Sequence, residues 1–408
     1  MLIERKAIHQ QLKSLRDADV IKVITGVRRS GKSTVMQMFK DYLFTSGVNE
    51  NQIVFMNFEE IENTKWLDDY ENLYHHIIDQ LDLSKSNYVF LDEVQNVKNF
   101  ERLIDGFFVK PNIDLYVTGS NAHLLSSELG TLLTGRYIEI HVLPFSFLEF
   151  SQLQTESNID RSFSQYLGKG GFPGVVQLDE SQQQIYANSI IESIKVKDIF
   201  IRNKWKSTEN FDKTLSFLMD SIGSPVSATN IANTFVSAGT PISHNTISEY
   251  LEALCESFLL YRVPRYDVRG KKLLTTLPKY YVVDIGMKKS ILGEAANQNL
   301  GHNLENVVFL ELIHKGFKVY SGKVRDSEVD FIAISPKGDK QYFQVAYSVR
   351  DETTQNRELS SLKMIRDNNP KTLLTMDTDP AADFDGIKRK NVVDWLLETS
   401  EKGGDYNG

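Results

Sequence analysis

Eight residues, Gly26-Val27-Arg28-Arg29-Ser30-Gly31-Lys32-Ser33, carry the most specific chemistry in the sequence. They satisfy G-x-x-x-x-G-K-[ST], the pattern of a loop that wraps phosphate. Glycines let the backbone come close to phosphate oxygens with its N–H groups turned inward. A helix beginning at the end of the loop presents its positive terminus to the same anion. In that arrangement Gly26 through Thr34 line the nucleotide, and Lys32 pairs with its β and γ phosphates. Ser33 offers a hydroxyl to Mg²⁺.

A second group follows sixty residues after Lys32. Tyr88-Val-Phe-Leu-Asp92-Glu93 is an apolar run ending in two acids. Asp92 suits a Mg²⁺ ligand, directly or through water, and Glu93 suits the base that orients and deprotonates an attacking water. Leu115-Tyr-Val-Thr118-Gly119-Ser120-Asn121 is a third run, which ends in small polar residues. Asn121 or Ser120 would stand near a γ-phosphate there; the same residues also suit a strand-to-helix cap, and they do not choose between the two. Arg136, in LLTGRYIEI, is a candidate for stabilising charge on a transferred phosphoryl group, and equally for a surface ion pair.

These residues need a parallel sheet to bring them together. Short β-like runs at Val20–Thr25, Gln52–Phe58, Tyr88–Leu91, Ile113–Thr118 and Tyr137–Val142 alternate with helical patterns, the signature of βαβ units. The helical stretch Ser33–Phe44 comes directly after the phosphate-loop pattern. Beyond residue 150 the pattern turns helical to about 222, broken by GKGGFPG at Gly168–Gly174.

The composition narrows the class. Of 408 residues, 41% are hydrophobic and 25% charged, which excludes a collagenous or wholly disordered chain. The net charge of −8 excludes a globally basic nucleic-acid coat but leaves room for a local basic patch. One cysteine, Cys255, excludes an intrachain disulfide and a multi-cysteine zinc site. No apolar run reaches membrane-helix length, and MLIERKAIHQ lacks the apolar stretch of a signal peptide. These features together predict a cytoplasmic protein with no membrane partner.

Residues 20–150 resemble the AAA+ ATPases. The whole chain is similar to a bacterial and archaeal family of AAA+ proteins with an uncharacterised C-terminal region. The segments that carry the likeness are GVRRSGKST, YVFLDEVQNV, VTGSNAHLLSSELGTLLTGRYIEIHVLPFSFLEF, GGFPGV, EVDF and QVAYS. The resemblance implies an α/β fold: a parallel-sheet P-loop core over 1–150, then a helical lid over 151–224. It implies ATP rather than GTP, with Mg²⁺, as cofactors. It makes Asn121 (or Ser120) the first sensor, Arg136 an arginine finger acting in cis or in trans, and Pro173 a lid residue near the nucleotide. An arginine finger in trans would imply a homo-oligomer.

Residues 225–292 read as a winged helix. Ala228–Phe235 is a short helix, Gly239 and Pro241 make a turn, and His244–Leu259 is an amphipathic helix. LLYRVPRYDVRGKKLL then reads as a β-wing. Arg262, Arg265, Arg269, Lys271 and Lys272 with Asp267 form a basic patch suited to duplex DNA phosphates. Glu249, Glu252 and Glu256 on the second helix oppose deep insertion into a groove.

Residues 293–408 resemble restriction-endonuclease-like α/β folds. Glu305 lies on a helix, Asp330 in Glu328-Val-Asp330-Phe, and Gln344-Val-Ala346 on the next strand. Such folds use acid-x-Lys where this chain has Gln344 and Ala346, and an amide and a methyl cannot hold Mg²⁺ or position a water. Lys363 or Lys340 would have to migrate into the gap, which nothing in the sequence shows. The expectation is a domain that has lost cleavage. The sequence as a whole predicts an ATPase whose Mg²⁺-dependent turnover drives conformational change, with duplex DNA or a protein client as partner. A nucleotide-switched DNA-binding regulator is the alternative, and an ATP-dependent nuclease a third.

Overall fold

A computed structural model describes residues 3–122, 135–154, 158–205, 207–270 and 272–398. Most of the segment between Asn121 and Arg136, the patch residue Lys271 and the last ten residues lie outside the described residues. The chain divides into two units: residues 1–144 with 256–258, and residues 145–255 with 259–408.

The first unit is a five-stranded parallel sheet in the order β2-β3-β4-β1-β5. Its strands are β1 (Ile21–Thr25), β2 (Ile53–Asn57), β3 (Asn87–Asp92), β4 (Ile113–Gly119) and β5 (Tyr137–His141). Among the described residues, α1 (Lys6–Ser14) precedes β1, and α2 (Lys32–Thr45), α3 (Tyr70–Ile78) and α4 (Phe100–Phe108) connect successive strands. β1 and β3 are buried along their whole length, as strands covered on both faces must be. One core layer sets Val23, Val89, Leu91 and Val117 against Leu73, Ile77 and Phe107 of α3 and α4. The other sets Ile24, Phe90 and Tyr116 against Val35, Met36 and Phe39 of α2. The five runs expected from sequence are the five strands, each within a residue or two of its expected ends.

Two charged residues inside this sheet are paired with each other. Lys22 on β1 and Asp114 on β4 are buried against each other, and the Tyr116 hydroxyl donates to Asp114 at 2.8 Å. Burial raises the Asp114 pKa, and the Lys22 ammonium works against that rise.

The second unit opens with helices α5 (Phe147–Ser151), α6 (Ile159–Lys169), α7 (Pro173–Val176) and α8 (Glu180–Ser193). The last continues through a π-helical segment, Ile194–Phe200. Then follow α9 (Glu209–Asp220), α10 (Ala228–Ser237) and α11 (His244–Glu256). The remaining elements are β6 (Leu260–Asp267), β7 (Lys272–Val282), α12 (Ile285–Leu292), α13 (Leu300–His314), β8 (Lys318–Val324), β9 (Ser327–Ile334) and β10 (Lys340–Ala346). They end with α14 (Glu352–Lys363), β11 (Lys371–Thr375), β12 (Ala382–Phe384), β13 (Ile387–Asn391) and α15 (Val392–Leu397).

Eight strands form one sheet, β12-β13-β11-β10-β9-β8-β6-β7. β6 and β7, which the sequence suggests as a wing, lie at one end of it, β7 as the edge strand and β6 between β7 and β8, to which it runs parallel. The sheet therefore runs across residue 292, where the sequence places a domain boundary. GKGGFPG also has a local task. Gly171 packs so closely on the Phe145 carbonyl that a Cβ there would lie 2.2 Å from its oxygen. The Asp284 carboxylate accepts from the Gly171 and Gly286 amides at 2.5 and 2.9 Å, and Pro173 starts α7, where its missing N–H costs nothing.

Candidate functional site

The phosphate-loop residues join the C-terminal end of β1 to the first turn of α2. Gly26 (φ +143°) and Gly31 (φ +101°) take conformations that side chains resist. At Gly26 a Cβ would lie 2.1 Å from the Val142 carbonyl oxygen, so the loop is pinned against the chain leaving β5. Gly31 precedes α2 and no side chain caps the helix there. The first-turn amides of α2 thus keep their preference for an anion.

Lys32 is 3% exposed. Its ammonium donates to the Gly26 and Val27 carbonyls at 3.0 and 3.2 Å and lies 3.7 Å from Glu93 Oε1. Ser33 and Thr34 face solvent. Arg28 is buried and donates to Glu59 at 2.7 Å, while Arg29 takes a left-handed conformation (φ +68°). Ser30 is fully buried.

Asp92 ends β3, fully buried. Its Oδ1 accepts from the Thr118 hydroxyl at 2.5 Å, and Thr118 accepts in turn from the Glu93 amide at 2.8 Å. Oδ2 has no hydrogen-bond partner among the described residues. Burial raises the Asp92 pKa, opposed by the Ser33 and Thr118 hydroxyls beside it. An unpartnered carboxylate oxygen next to a serine hydroxyl is the donor set that a hard divalent cation takes, so the residues fit Mg²⁺. Glu93 stands in the left-handed region (φ +54°), a strain that places its carboxylate between Lys32 and Gln95, whose amide donates to it at 2.5 Å.

Lys32, Asp92 and Glu93 are thus brought together beside Ser33. Asn121, directly after β4, is buried. Arg136 is not brought to this site. It precedes β5 at the N-terminal end of the strands, opposite the end that carries the loop, its carbonyl accepting from the Ile21 amide. Five strand residues separate that end from the loop, about 16 Å at strand rise. Its guanidinium is half-exposed, 3.1 Å from Asp105 and stacked over Phe108.

Two contributors are invisible to motif reading. Thr118 holds the Asp92 carboxylate and the Glu93 amide at the end of β3. Arg5, buried, donates to the Leu143 carbonyl at 2.7 Å and to the Ser30 carbonyl at 3.4 Å, tying the loop to the segment after β5. A threonine inside the apolar run of β4 was the available signal for the first. For the second there was none, because its partners are distant backbone atoms.

The second set of candidates also converges. Glu305, Asp330 and Gln344 are buried together, but the cation among them is Lys279 of β7. Lys363 pairs with Asp385 and Lys340 lies over Tyr266, so neither enters the gap. Of the expected basic patch, Arg265 pairs with Glu328 at 3.3 Å. No helix among the described residues is long and apolar enough to cross a membrane.

A parallel sheet with this loop at a strand end and two acids on a strand beyond its neighbour defines the nucleotide-binding ATPases of the P-loop class. The family description "AAA domain" matches residues 18–151, and "Domain of unknown function (DUF8612)" matches residues 160–298. An uncharacterized protein of Haemophilus influenzae is 39% identical over 403 residues, 97% of this chain and 99% of its own. An uncharacterized protein of Methanocaldococcus jannaschii is 28% identical over 392 residues, 89% and 82% of the two chains. A Walker-type ATPase of Pyrococcus abyssi superposes with a TM-score of 0.48 at 13% identity, over 71% of this chain and 96% of that one. The chain belongs to the family of the Haemophilus influenzae protein and carries an AAA-type ATPase domain at its N-terminal end.

Proposed function

We propose that this protein binds ATP at Gly26–Thr34 and hydrolyses it, using turnover to drive a conformational change. The observation that carries the reading is the convergence of Lys32, Asp92 and Glu93 on the phosphate loop, with Thr118 bonded to the Asp92 carboxylate and the Glu93 amide. The loop amides and the α2 N-terminus bind phosphate oxygens. Lys32 leaves the Gly26 and Val27 carbonyls for the β and γ phosphates. Ser33 and Asp92 would hold Mg²⁺, which when bound neutralises phosphate charge. Glu93, freed from Lys32 by the same movement, orients the attacking water and takes its proton. Asn121, buried after β4, senses the γ-phosphate.

Arg136 acts, in this reading, on the nucleotide of a second copy of the chain, because its own loop lies at the other end of the strands. The site is then complete only in a homo-oligomer.

Steady-state ATPase assays on Lys32→Ala and Glu93→Gln test the reading. Lys32→Ala should abolish binding and turnover. Glu93→Gln should keep binding and lower kcat by about 100-fold or more. Unchanged turnover in both variants would overturn it.

A further inference from the structure

Three acids from two elements meet one buried ammonium in the second unit. Lys279 Nζ lies 2.9 Å from Glu305 Oε1, 2.5 Å from Glu328 Oε1 and 3.7 Å from Asp330 Oδ1. Glu305 comes from α13, and Glu328 and Asp330 from β9. Lys279, Glu305 and Asp330 are each less than a tenth exposed. The surrounding groups complete the arrangement. The Tyr281 hydroxyl donates to Glu305 at 2.5 Å, the Val345 amide to Asp330 at 2.8 Å and Arg265 to Glu328 at 3.3 Å. Gln344 accepts from the Asp330 amide at 3.3 Å and donates to Glu358 at 2.8 Å, and Glu358 also faces Arg357.

Several buried carboxylates held this close repel one another unless a cation sits among them. Either a divalent ion or a side-chain ammonium supplies that charge, and the two cannot share one position. Here the ammonium is covalently part of the chain. It is also shut in. The Gly223 amide donates to the Tyr280 carbonyl at 3.1 Å, Pro225 bridges to Lys279, and a Cβ at Gly223 would lie 3.1 Å from Glu305 Oε2. Covered in this way, Glu305 and Asp330 keep only 5% and 8% of their surface exposed. Among the described residues no group of acids, histidines or cysteines is arranged to hold a metal ion. Burial alone would lower the Lys279 pKa, but the charges of Glu305, Asp330 and Glu328 hold it above its ordinary value.

We propose that Lys279 is the permanent counter-cation of this centre, standing where a divalent ion would otherwise neutralise Glu305, Glu328 and Asp330. The centre is then a fixed ionic core that joins β7, α13 and β9, and not a metal-dependent cleavage site. Removing the ammonium should unmask a divalent-cation site.

The test uses the full chain without nucleotide, carrying Asp92→Asn throughout so that the phosphate loop contributes no metal site. Free Mn²⁺ is followed by electron paramagnetic resonance. The Lys279-containing protein should take up no Mn²⁺ at the centre. Lys279→Met should gain one Mn²⁺ per chain, at least about tenfold tighter, because one positive charge within about 4 Å is gone. Adding Asp330→Asn should remove that site again. If Lys279→Met does not fold, Lys279→Gln supplies the same comparison with a polar side chain of similar length. A folded Lys279 variant with no new Mn²⁺ site overturns the proposal. The wild type tests it independently of any Lys279 variant: supercoiled plasmid should stay intact with Mg²⁺, whereas nicking lost in Asp330→Asn overturns the proposal.

Discussion

Thr118 donates its hydroxyl to Asp92 at 2.5 Å while the same oxygen accepts the Glu93 amide at 2.8 Å. One residue of β4 therefore fixes the metal-ligand candidate and the backbone of the base candidate on β3. Replacing it with valine keeps the shape and removes both bonds. Thr118→Val should leave ATP affinity within about threefold and lower kcat by about tenfold or more, since the base is misplaced but the phosphate loop is intact. Binding titrations beside steady-state kinetics separate the two. A variant that loses affinity and keeps kcat would give Thr118 a different task.

Gly26→Ala tests how the loop is held. The added Cβ meets the Val142 carbonyl oxygen at 2.1 Å in a backbone conformation that alanine resists. The clash cannot be relieved by a side-chain rotation, because the obstacle is backbone. The expected cost is about 2–4 kcal/mol, with loss of nucleotide binding. Thermal melting with and without ATP reads both, and an unshifted midpoint with normal ATP stabilisation would sink the expectation.

The sequence made the nucleotide site legible where chemistry is local. The glycines, Lys32 and Ser33 lie in one loop, and Asp92 and Glu93 end an apolar run, so both groups could be placed on strand ends before any fold was known. Pairing across the sheet was not legible. Thr118 matters because β4 lies beside β3, and Lys22 in β1 looks like a solvated charge until Asp114 of β4 is set against it. The second unit shows the same limit more strongly. β6 and β7 form a hairpin by local rules, yet β6 also pairs with β8, more than fifty residues on. Lys279 could not be connected to Glu305 and Asp330 from spacing alone, because it lies on β7, 26 residues before Glu305, and only the sheet pairing brings it to them. The segment from 352 to 391 carries no motif, and its helix and three strands are short and lack a clear period.

Asp284→Asn probes how GKGGFPG is anchored. The two carboxylate oxygens of Asp284 accept from Gly171 and Gly286, and burial pushes its pKa up to about 6 against those bonds. Asparagine turns one acceptor into a donor that faces an N–H group. The variant should lose about 2–4 kcal/mol of stability, close to the cost of a buried unsatisfied pair. Denaturant unfolding measures it, and a change below about 0.5 kcal/mol would mean that the loop is held by other contacts.

Glu311 gives the second unit a pH dependence of definite sign. Burial pushes its pKa up to about 7 from 4.5, with Lys315 at 3.4 Å pulling back and Glu149 adding to the rise. The folded state therefore binds the proton more tightly than the unfolded chain. The stability this confers is fully present below about pH 4.5 and is lost as pH rises through 7. Glu311→Gln removes the dependence. Between pH 5 and 8 the wild type should lose about 2–3 kcal/mol relative to the variant, read as about 5–10 °C in melting temperature. Parallel melting curves would show that Glu311 keeps an ordinary pKa.

Arg136 provides the test of assembly. It sits about 16 Å from its own phosphate loop along β5 and β1, too far to touch a phosphate bound there. A catalytic role therefore requires a second chain, and two inactive variants should complement each other. Arg136→Ala keeps an intact loop and lacks the arginine; Lys32→Ala keeps the arginine and lacks the loop lysine. Each alone should fall by about 100-fold or more in kcat. Mixed at equal concentration, they form interfaces that pair an intact loop with an intact Arg136, so part of the activity should return and should rise with total protein concentration. The Asp105 pair is half-exposed and worth little, so Arg136→Ala should melt within about 1 kcal/mol of the wild type. Full activity in Arg136→Ala alone, or no recovery on mixing when both variants are shown to associate, would remove Arg136 from the mechanism and leave it as the partner of Asp105 and Phe108.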